Sequence, residues 1–213
     1  MNTRVRVKAL FELNRHENVA PKLQLHFGDT CFKGITKLGH NVLNRTLVEW
    51  LVQNYDVHTS VMKVHNMSFS ITEDEVNKAF GLHSGGTDII LQKSDTNGIN
   101  KYGHLFTFNG QGMIKMSQLE IRLTEGLLEG DDFKVSYLLY VFGTFLFCGT
   151  AVDLPTVYLN PLVDIENLET KNWAKLVLDS LNDAVSFYQA NNGYMKGCPF
   201  LLEVQTNFFD TCQ

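Results

Sequence analysis

The longest apolar segment of the chain covers residues 131–150, with the sequence DDFKVSYLLYVFGTFLFCGT. Its uninterrupted apolar part, residues 137–148, is about 12 residues long, whereas a helix that spans a membrane needs about 20. Lys134 and Ser136 precede this part and no basic cluster follows it, so the flanking charges of a membrane span are also absent. The pattern therefore predicts a helix buried in a protein core, with Asp131 or Asp132 as its N-cap.

Four other segments repeat their apolar residues at the three- and four-residue spacing of an amphipathic helix: residues 37–55, 73–80, 117–130 and 171–190. Thr72 with Glu75, and Ser117 with Glu120, have the spacing of a capping box, which begins a helix. Gly81 and the sequence NNG at 191–193 are stop signals. The expected buried face of the first helix is Leu38, Val42, Leu43, Leu47, Trp50, Leu51 and Tyr55. That of the last is Trp173, Leu176, Val177, Leu181, Ala184, Val185 and Tyr188.

The period changes to two between residues 61 and 71, where apolar and polar residues alternate roughly on both sides of His65-Asn66. This pattern predicts a small β-hairpin, at about residues 60–72. Residues 83–112 are rich in Gly, Ser, Asn and Asp, which predicts a long polar loop with one short strand at HLFTF, residues 104–108. The final apolar run, CPFLLEVQTNFF, is compatible with one more helix on the core.

These elements predict a mainly α fold, with a single helical domain over residues 37–213 that follows a basic lead-in segment, residues 1–36. The lead-in, around Pro21, is expected to be loose or to contain only short helices. A length of 213 residues with 44% hydrophobic content suits one domain with a full core.

The charge is unevenly distributed along the chain. Residues 1–45 contain eight basic and three acidic side chains, a net charge of +5, while the remainder contains ten basic and twenty acidic side chains, a net charge of −10. Arg4, Arg6, Lys8 and Arg15 are therefore candidate contacts for nucleic acid or for an acidic partner, because cations that neutralise phosphates release counterions. The alternative is an ordinary solvated end that is attracted to the acidic remainder of its own chain.

No catalytic or metal-binding motif is visible in the sequence. The four cysteines include no C-x-x-C pair, which fits reduced thiols inside the cell, and the first residues contain no apolar stretch of the kind that a secretory signal needs. The seven histidines include no H-E-x-x-H motif. His58 and His65 lie close enough in sequence to meet in space, although two structural histidines are the commoner explanation. The sequence NGQG at 109–112 lacks the third Gly and the Lys of a phosphate-binding loop.

Six blocks carry a resemblance to a known family. In order they are LVEWLVQNYD, ITEDEVNKAFGL followed by SGG, YLLYVFGTFLFC, YLNPLVDIENL, NWAKLVLDSL and GCPFLLEVQ. Their order and spacing, over about residues 40–205, resemble the plant mobile domain family, sometimes labelled aminotransferase-like, and above all its copies in plant transposons.

The resemblance implies a largely helical domain without an established catalytic residue set, acting in the nucleus in transposon silencing, genome stability or development, with the cytoplasm as a second location. It also implies a protein partner, either phosphatase-like or a chromatin protein. No catalytic, cofactor-binding or metal-binding residues are carried over, because this chain has no recognisable lysine context for pyridoxal phosphate.

The chain departs from the family pattern after Gln205, where relatives continue with a Trp and further helices. A C-terminally truncated copy would leave one face of the central helix, around Leu138, Phe142 and Phe145, less well covered. We therefore expect either a homodimer through these residues or a repacked tail built from Phe200, Leu201, Phe208 and Phe209.

Three functional hypotheses follow from the sequence. The first is a non-enzymatic protein-interaction module of transposon origin, which could compete with full-length relatives. The second is a nucleic-acid-binding module that uses the basic N-terminal segment. The third is an enzyme that uses the polar loop, residues 83–112.

Overall fold

The computed structural model describes residues 1–64 and 67–210, the last five of these by their backbone only. The N-terminal region contains strand β1 (Asn2–Thr3) and helices α1 (Val7–Asn14), α2 (Ala20–Phe27) and α3 (Lys33–Thr36). These helices bury Leu10, Leu13, Leu23, Phe27 and Ile35 in the same core as the rest of the chain. Residues 1–36 therefore contain the short helices that were one of the two expectations, and these helices pack in the core instead of forming a separate lead-in. The sequence hid this because the helices are only four to eight residues long and none has a side-chain N-cap.

The next region contains helix α4 (Arg45–Gln53), strands β2 (Tyr55–Asp56), β3 (Val61–Val64) and β4 (Met67–Ser70), and helix α5 (Glu73–Phe80). Strands β3 and β4 pair antiparallel with Val64 opposite Met67, which confirms the predicted hairpin, and β2 adds a third strand. The expected turn at His65-Asn66 lies outside the described residues.

Helix α4 begins later than residue 37, where the prediction placed its start. Asn44 is its N-cap, and the Asn44 side-chain oxygen accepts a hydrogen bond from the Leu47 amide at 3.1 Å. Val42 thus lies outside the helix and is 71% exposed, whereas Val48 and Val52 are buried. The buried face consequently differs in part from the predicted one.

Helix α5 has the predicted boundaries. The Thr72 hydroxyl accepts a hydrogen bond from the Glu75 amide at 3.4 Å, and Gly81 ends the helix with a φ of +76°. The Glu75 carboxylate accepts a hydrogen bond from Lys78 at 2.7 Å.

The polar region of residues 83–112 contains strand β5 (Thr87–Asp88), helix α6 (Asn97–Tyr102) and a 3-10 turn (Gly103–Leu105). The predicted strand at residues 104–108 is wrong, since these residues form the 3-10 turn and then a single bridge from Phe108 to Ile114. Helix α6 lies so close to the segment after Leu154 that a Cβ on Gly98 would be 2.5 Å from the Leu159 carbonyl carbon. Tertiary contact, which local sequence does not encode, therefore fixes α6.

The centre of the fold contains helix α7 (Met116–Thr124), helix α8 (Gly130–Val141) and a π-helical segment (Phe142–Leu146). We call residues 130–146 the central segment, and every one of its residues from 135 to 142 is buried, as predicted. The predicted caps are wrong, since Lys115 and Glu129 occupy the N-cap positions without a side-chain bond, while Asp153 accepts a hydrogen bond from the Met116 amide at 3.2 Å. Among the described residues, no helix combines the length and apolar character that crossing a membrane requires.

The last region contains 3-10 segments (Thr156–Leu162 and Ile165–Thr170), strand β6 (Lys171–Asn172), helix α9 (Trp173–Asn191), strand β7 (Tyr194–Met195) and helix α10 (Phe200–Asp210). Helix α9 has the predicted extent and ends at Asn192, which is left-handed with a φ of +52°. Strands β1 and β7 pair in parallel, as do β5 and β6, so these two-residue ladders join distant parts of the chain.

The face of the central segment that was expected to be poorly covered is closed by the chain itself. Leu138, Phe142 and Phe145 are each 0% exposed, so these side chains do not lie at a surface where the expected homodimer could use them. The Phe145 ring lies 5.8 Å from the Phe200 ring, and Leu201 is also fully buried, as the alternative of a repacked tail predicts. The side chains of Phe208 and Phe209 lie outside the described residues.

Candidate functional site

A cleft with a volume of about 480 Å³ lies beside helix α9. We call it the aromatic cleft. Its apolar wall includes Phe147, Tyr158 and Phe187, and its polar residues are Asp179, Ser180, Asp183 and Lys196. Leu91, Leu176 and Ala184 complete the apolar part, with the backbone of Gly149 and Gly197.

Local structure positions each wall of the aromatic cleft. Asp179, Asp183 and Phe187 follow one another at four-residue steps on α9, so they form one line along the helix surface. The π-helical segment ends at Leu146, and the ring of the next residue, Phe147, stacks on Tyr158 with centroids 5.1 Å apart. A single bridge between Cys148 and Gly197 then holds the residues before α10 against the end of the central segment.

The exposed rim of the aromatic cleft combines apolar surface with charge. The Phe187 side chain is 43% exposed, and the Lys196 ammonium group lies 4.4 Å from the centre of its ring. Asp179 accepts a hydrogen bond from Lys175 at 2.6 Å, whereas no cation of the described residues lies within 4.0 Å of the Asp183 carboxylate. The rim therefore offers an aromatic surface next to one carboxylate that can accept a cation.

The two reactive side chains in the wall are held in their protonated forms. Burial raises the pKa of the Cys148 thiol far above its ordinary value, and the nearby Cys198 thiol raises it further. The Cys148 thiol donates a hydrogen bond to the Gly143 carbonyl at 3.4 Å. Burial likewise raises the pKa of Tyr158 to about 12. Neither group is activated as a nucleophile or as a base at neutral pH.

Two of the four basic residues that the sequence singled out meet in a second cleft. Arg4 and Arg6, together with Arg45 at the start of α4, line a cleft of about 260 Å³, which we call the arginine cleft. Thr3, Val5, Gly143, Val152 and Tyr194 complete its lining. The cleft shares no lining residue with the aromatic cleft.

Lys8 and Arg15 do not line the arginine cleft. Lys8 is exposed on α1 and pairs with Glu12 at 3.7 Å, while Arg15 lies over the Phe11 ring at 5.1 Å. The N-terminal charges are thus divided between a cleft and a helix surface, and they do not form one continuous basic track.

Other candidate residues have structural partners. The Asn109 side chain accepts hydrogen bonds from the amides of Gln111 and Met113, which explains the NGQG sequence as a turn. The Ser84 hydroxyl lies 3.3 Å from Asp74. His58 is exposed, and its expected neighbour His65 lies outside the described residues. Within residues 1–64 and 67–210, no group of three or more His, Cys, Asp or Glu side chains is arranged to hold a metal ion.

Sequence reasoning found Arg4 and Arg6 but missed Arg45 of the arginine cleft and Phe187 of the aromatic cleft. Phe187 had a detectable signal, because it is a large apolar residue on the side of α9 that also presents Asp179 and Asp183. Arg45 had none, because 39 residues separate it from Arg6 and only the fold brings them together.

Comparison with known proteins gives one match. A family model described as a domain of unknown function, DUF8566, matches residues 3–203. Neither the curated proteins nor the solved structures contain a match to this chain. The matched residues include all the elements from α1 to β7 and both clefts. The protein belongs to the DUF8566 family.

Proposed function

We propose that this protein is a non-enzymatic protein-interaction module of transposon origin, and that the aromatic cleft is the place where it binds a partner. The observation that carries the proposal is that the cleft is lined by the partly exposed Phe187 ring and by the Asp183 carboxylate, which pairs with no cation of the described residues. Aromatic side chains supply large apolar contact area and are typical of protein interfaces.

The cleft favours a short partner segment with one large apolar side chain next to a Lys or Arg. The apolar side chain would pack against Phe187 and Leu176, both of which line the cleft, and the cation would pair with Asp183. Lys196 would have to leave the Phe187 ring, which it now covers at 4.4 Å. Complementary charge of this kind speeds association and excludes acidic partners.

The non-enzymatic part of the proposal is supported by the state of the reactive groups. Cys148 and Tyr158 are kept protonated by burial, so the cleft contains a recognition surface and two inactive side chains. The origin and the location come from the resemblance of six sequence blocks to plant mobile domains. On that basis the partner would be a phosphatase-like or chromatin protein of the nucleus, for which this chain could compete with longer relatives.

The test is selection of binding peptides from a displayed random library on the purified full chain, followed by affinity measurement with fluorescent copies of the selected peptides. We expect the selected peptides to combine an aromatic or large aliphatic residue with a neighbouring Lys or Arg. Phe187→Ser and Asp183→Asn should each weaken binding by about tenfold, which is the loss of one interface contact of about 1.4 kcal/mol.

Leu127→Ser is the matched control, because Leu127 is 80% exposed and does not line the cleft. This variant should bind the peptides as tightly as the unchanged protein does. Equal affinities for all three variants would refute the cleft as the binding site. Peptides bound tightly by the cleft should then displace the nuclear protein that the full chain captures from plant extract, and a failure of this competition would refute the proposed partner.

A further inference from the structure

The proposed function involves the aromatic cleft and leaves the arginine cleft without a role. We propose that Arg4, Arg6 and Arg45 bind the phosphate group of a phosphate monoester. Arg4 follows β1, Arg6 precedes α1 and Arg45 is the first residue of α4, and the fold places all three residues in the lining of a cleft of about 260 Å³. This convergence is the observation that carries the inference.

Arg4 is already oriented for this role. Its Nε atom donates a hydrogen bond to the Thr150 carbonyl at 2.8 Å, and its guanidinium group lies 5.6 Å from the centre of the Tyr194 ring. These contacts leave the terminal N–H groups of Arg4 for a ligand, since a guanidinium group has five donors and only one is used. A side chain fixed before binding loses less conformational entropy when the anion arrives.

The positive charge of the arginine cleft is not neutralised by the described part of the protein. No carboxylate of the described residues lies within 4.0 Å of Arg4, Arg6 or Arg45. The first turn of α4 contains no acidic residue, so the positive end of its dipole adds to the charge of Arg45. The Glu203 carboxylate accepts a hydrogen bond from the amide of the N-cap residue Asn44 at 3.1 Å.

The distribution of charge favours a compact dianion over a nucleic acid. A phosphate monoester carries close to two negative charges at neutral pH and three acceptor oxygens, which suits a cleft lined by three arginine residues. A nucleic acid strand would need a row of cations, but Lys8 pairs with Glu12 and Arg15 lies over Phe11. The remainder of the chain, with a net charge of −10 over residues 46–213, would repel a long polyanion.

The experiment is a titration of the full chain followed through the side-chain Nε–H signals of its arginines by NMR. The probes are inorganic phosphate, a short phosphoserine peptide, the same peptide without phosphate, and duplex DNA. We expect phosphate and the phosphopeptide to shift the signal of Arg4, and the unmodified peptide to leave it unchanged. If the protein binds the phosphopeptide more tightly than inorganic phosphate, the natural ligand is a phosphorylated protein. If the two affinities are equal, the natural ligand is a small phosphate compound.

Two variants with exposed side chains, Arg6→Gln and Arg45→Gln, should each reduce phosphate affinity by about tenfold, as expected when one charge-assisted hydrogen-bonding partner is removed. Arg45→Lys should also lose affinity, because lysine cannot make the bidentate contact. Arg15→Gln, which removes an equal charge outside the cleft, should leave affinity unchanged.

Three results would overturn the inference. The first is phosphate binding that Arg6→Gln and Arg45→Gln do not weaken, and the second is the absence of any phosphate-dependent shift at Arg4. The third is DNA binding that exceeds phosphopeptide binding and depends on Lys8 and Arg15. A failure of the peptide selection at the aromatic cleft would not affect this outcome, because the two clefts share no residue.

Discussion

The N-terminal region, residues 1–36, and the central segment, residues 130–146, belong to the same core. They differ in how clearly their sequences predict that they are buried. The central segment is apolar on all sides, so its sequence alone predicts burial. The N-terminal helices each bury only one side, and α1 and α2 expose Lys8, Arg15 and Leu25 on the other. The N-terminal region, whose short helices are basic and only partly apolar, thus covers the central segment, whose burial is evident from its sequence.

The contacts between the two regions show what covers the central segment. The Phe27 ring lies 5.1 Å from the Tyr137 ring, and the Phe32 ring lies 6.4 Å from the Phe142 ring. The buried Tyr137 hydroxyl donates a hydrogen bond to the Asn14 side-chain oxygen at 2.9 Å, and the Asn14 amide group donates to the carbonyls of Ile35 and Thr36. The N-terminal region therefore supplies part of the cover of the central segment.

The largest effect is expected from deletion of residues 1–36, which tests whether the N-terminal region covers the central segment. If this region covers the central segment, the shortened chain exposes the rings of Tyr137 and Phe142 and should lose cooperative unfolding altogether. Thermal unfolding followed by circular dichroism, with binding of a hydrophobic dye, measures this. The full chain with Lys8→Gln and Arg15→Gln is the control, since it loses charge but keeps the core. Cooperative unfolding of the shortened chain at an unchanged temperature would contradict the prediction.

A smaller effect is expected from Phe142→Ala in the central segment. The Phe142 ring is fully buried, and its centroid lies 5.2 Å from that of Phe147 and 5.6 Å from that of Trp173. Loss of such a ring should lower the free energy of unfolding by about 3–5 kcal/mol through lost burial and the cavity left behind. Urea unfolding measures this change. The matched variant Phe187→Ala removes a 43% exposed ring and should cost far less, and equal losses would contradict the account.

The smallest effect concerns pH and His26, which lies on α2 with its ring 5.7 Å from the Phe133 ring of the central segment. Burial lowers the pKa of His26 below its ordinary value of 6.5, and the Lys134 charge lowers it further, although Glu129 and Asp131 oppose the shift. A lowered folded-state pKa means that the unfolded chain takes up the proton first as the pH falls. Stability associated with neutral His26 is thus present above pH 6.5 and is lost as the pH falls through the folded-state pKa.

The measurement is the free energy of unfolding at about pH 8 and about pH 5, on either side of an ordinary histidine pKa. His26→Gln should lose less stability between these two pH values than the unchanged protein does, because glutamine does not titrate. His58→Gln, at an exposed histidine, should lose as much stability as the unchanged protein. A His26→Gln variant with the full pH dependence would show that the N-terminal cover does not hold this histidine neutral.

The elements that the sequence predicted well are those with local signals. Thr72 and Gly81 determine both ends of α5 through a cap and a left-handed residue, and Asn192 does the same for the end of α9. The hairpin of β3 and β4 follows from alternation over few residues. Each of these signals acts within about four residues, which is the range that a sequence pattern can report.

The elements that the sequence predicted wrongly also share a cause, since each depends on contacts between residues that are distant in sequence. Ser117 has the spacing of a cap but is not one, because Asp153, 37 residues from Met116, accepts the hydrogen bond of the Met116 amide. Helix α6 forms inside a polar sequence because Gly98 packs directly against the backbone of Leu159 and Asn160. The side chains of both clefts likewise come from segments that are distant in sequence, so neither cleft had a motif.

The sequence by itself determined that this protein has one mainly α core around residues 130–146, because an all-round apolar helix has no stable place except among other side chains. Tertiary structure alone decided what covers that core and which side chains meet at the surface. Phe32 packs on Phe142 and Phe200 packs on Phe145, which closes the face that was expected to be open, and the fold brings Arg45 to Arg4 and Arg6. The physical reason is that burial depends on a residue's own chemistry, whereas a cleft depends on distances between residues that local patterns do not contain.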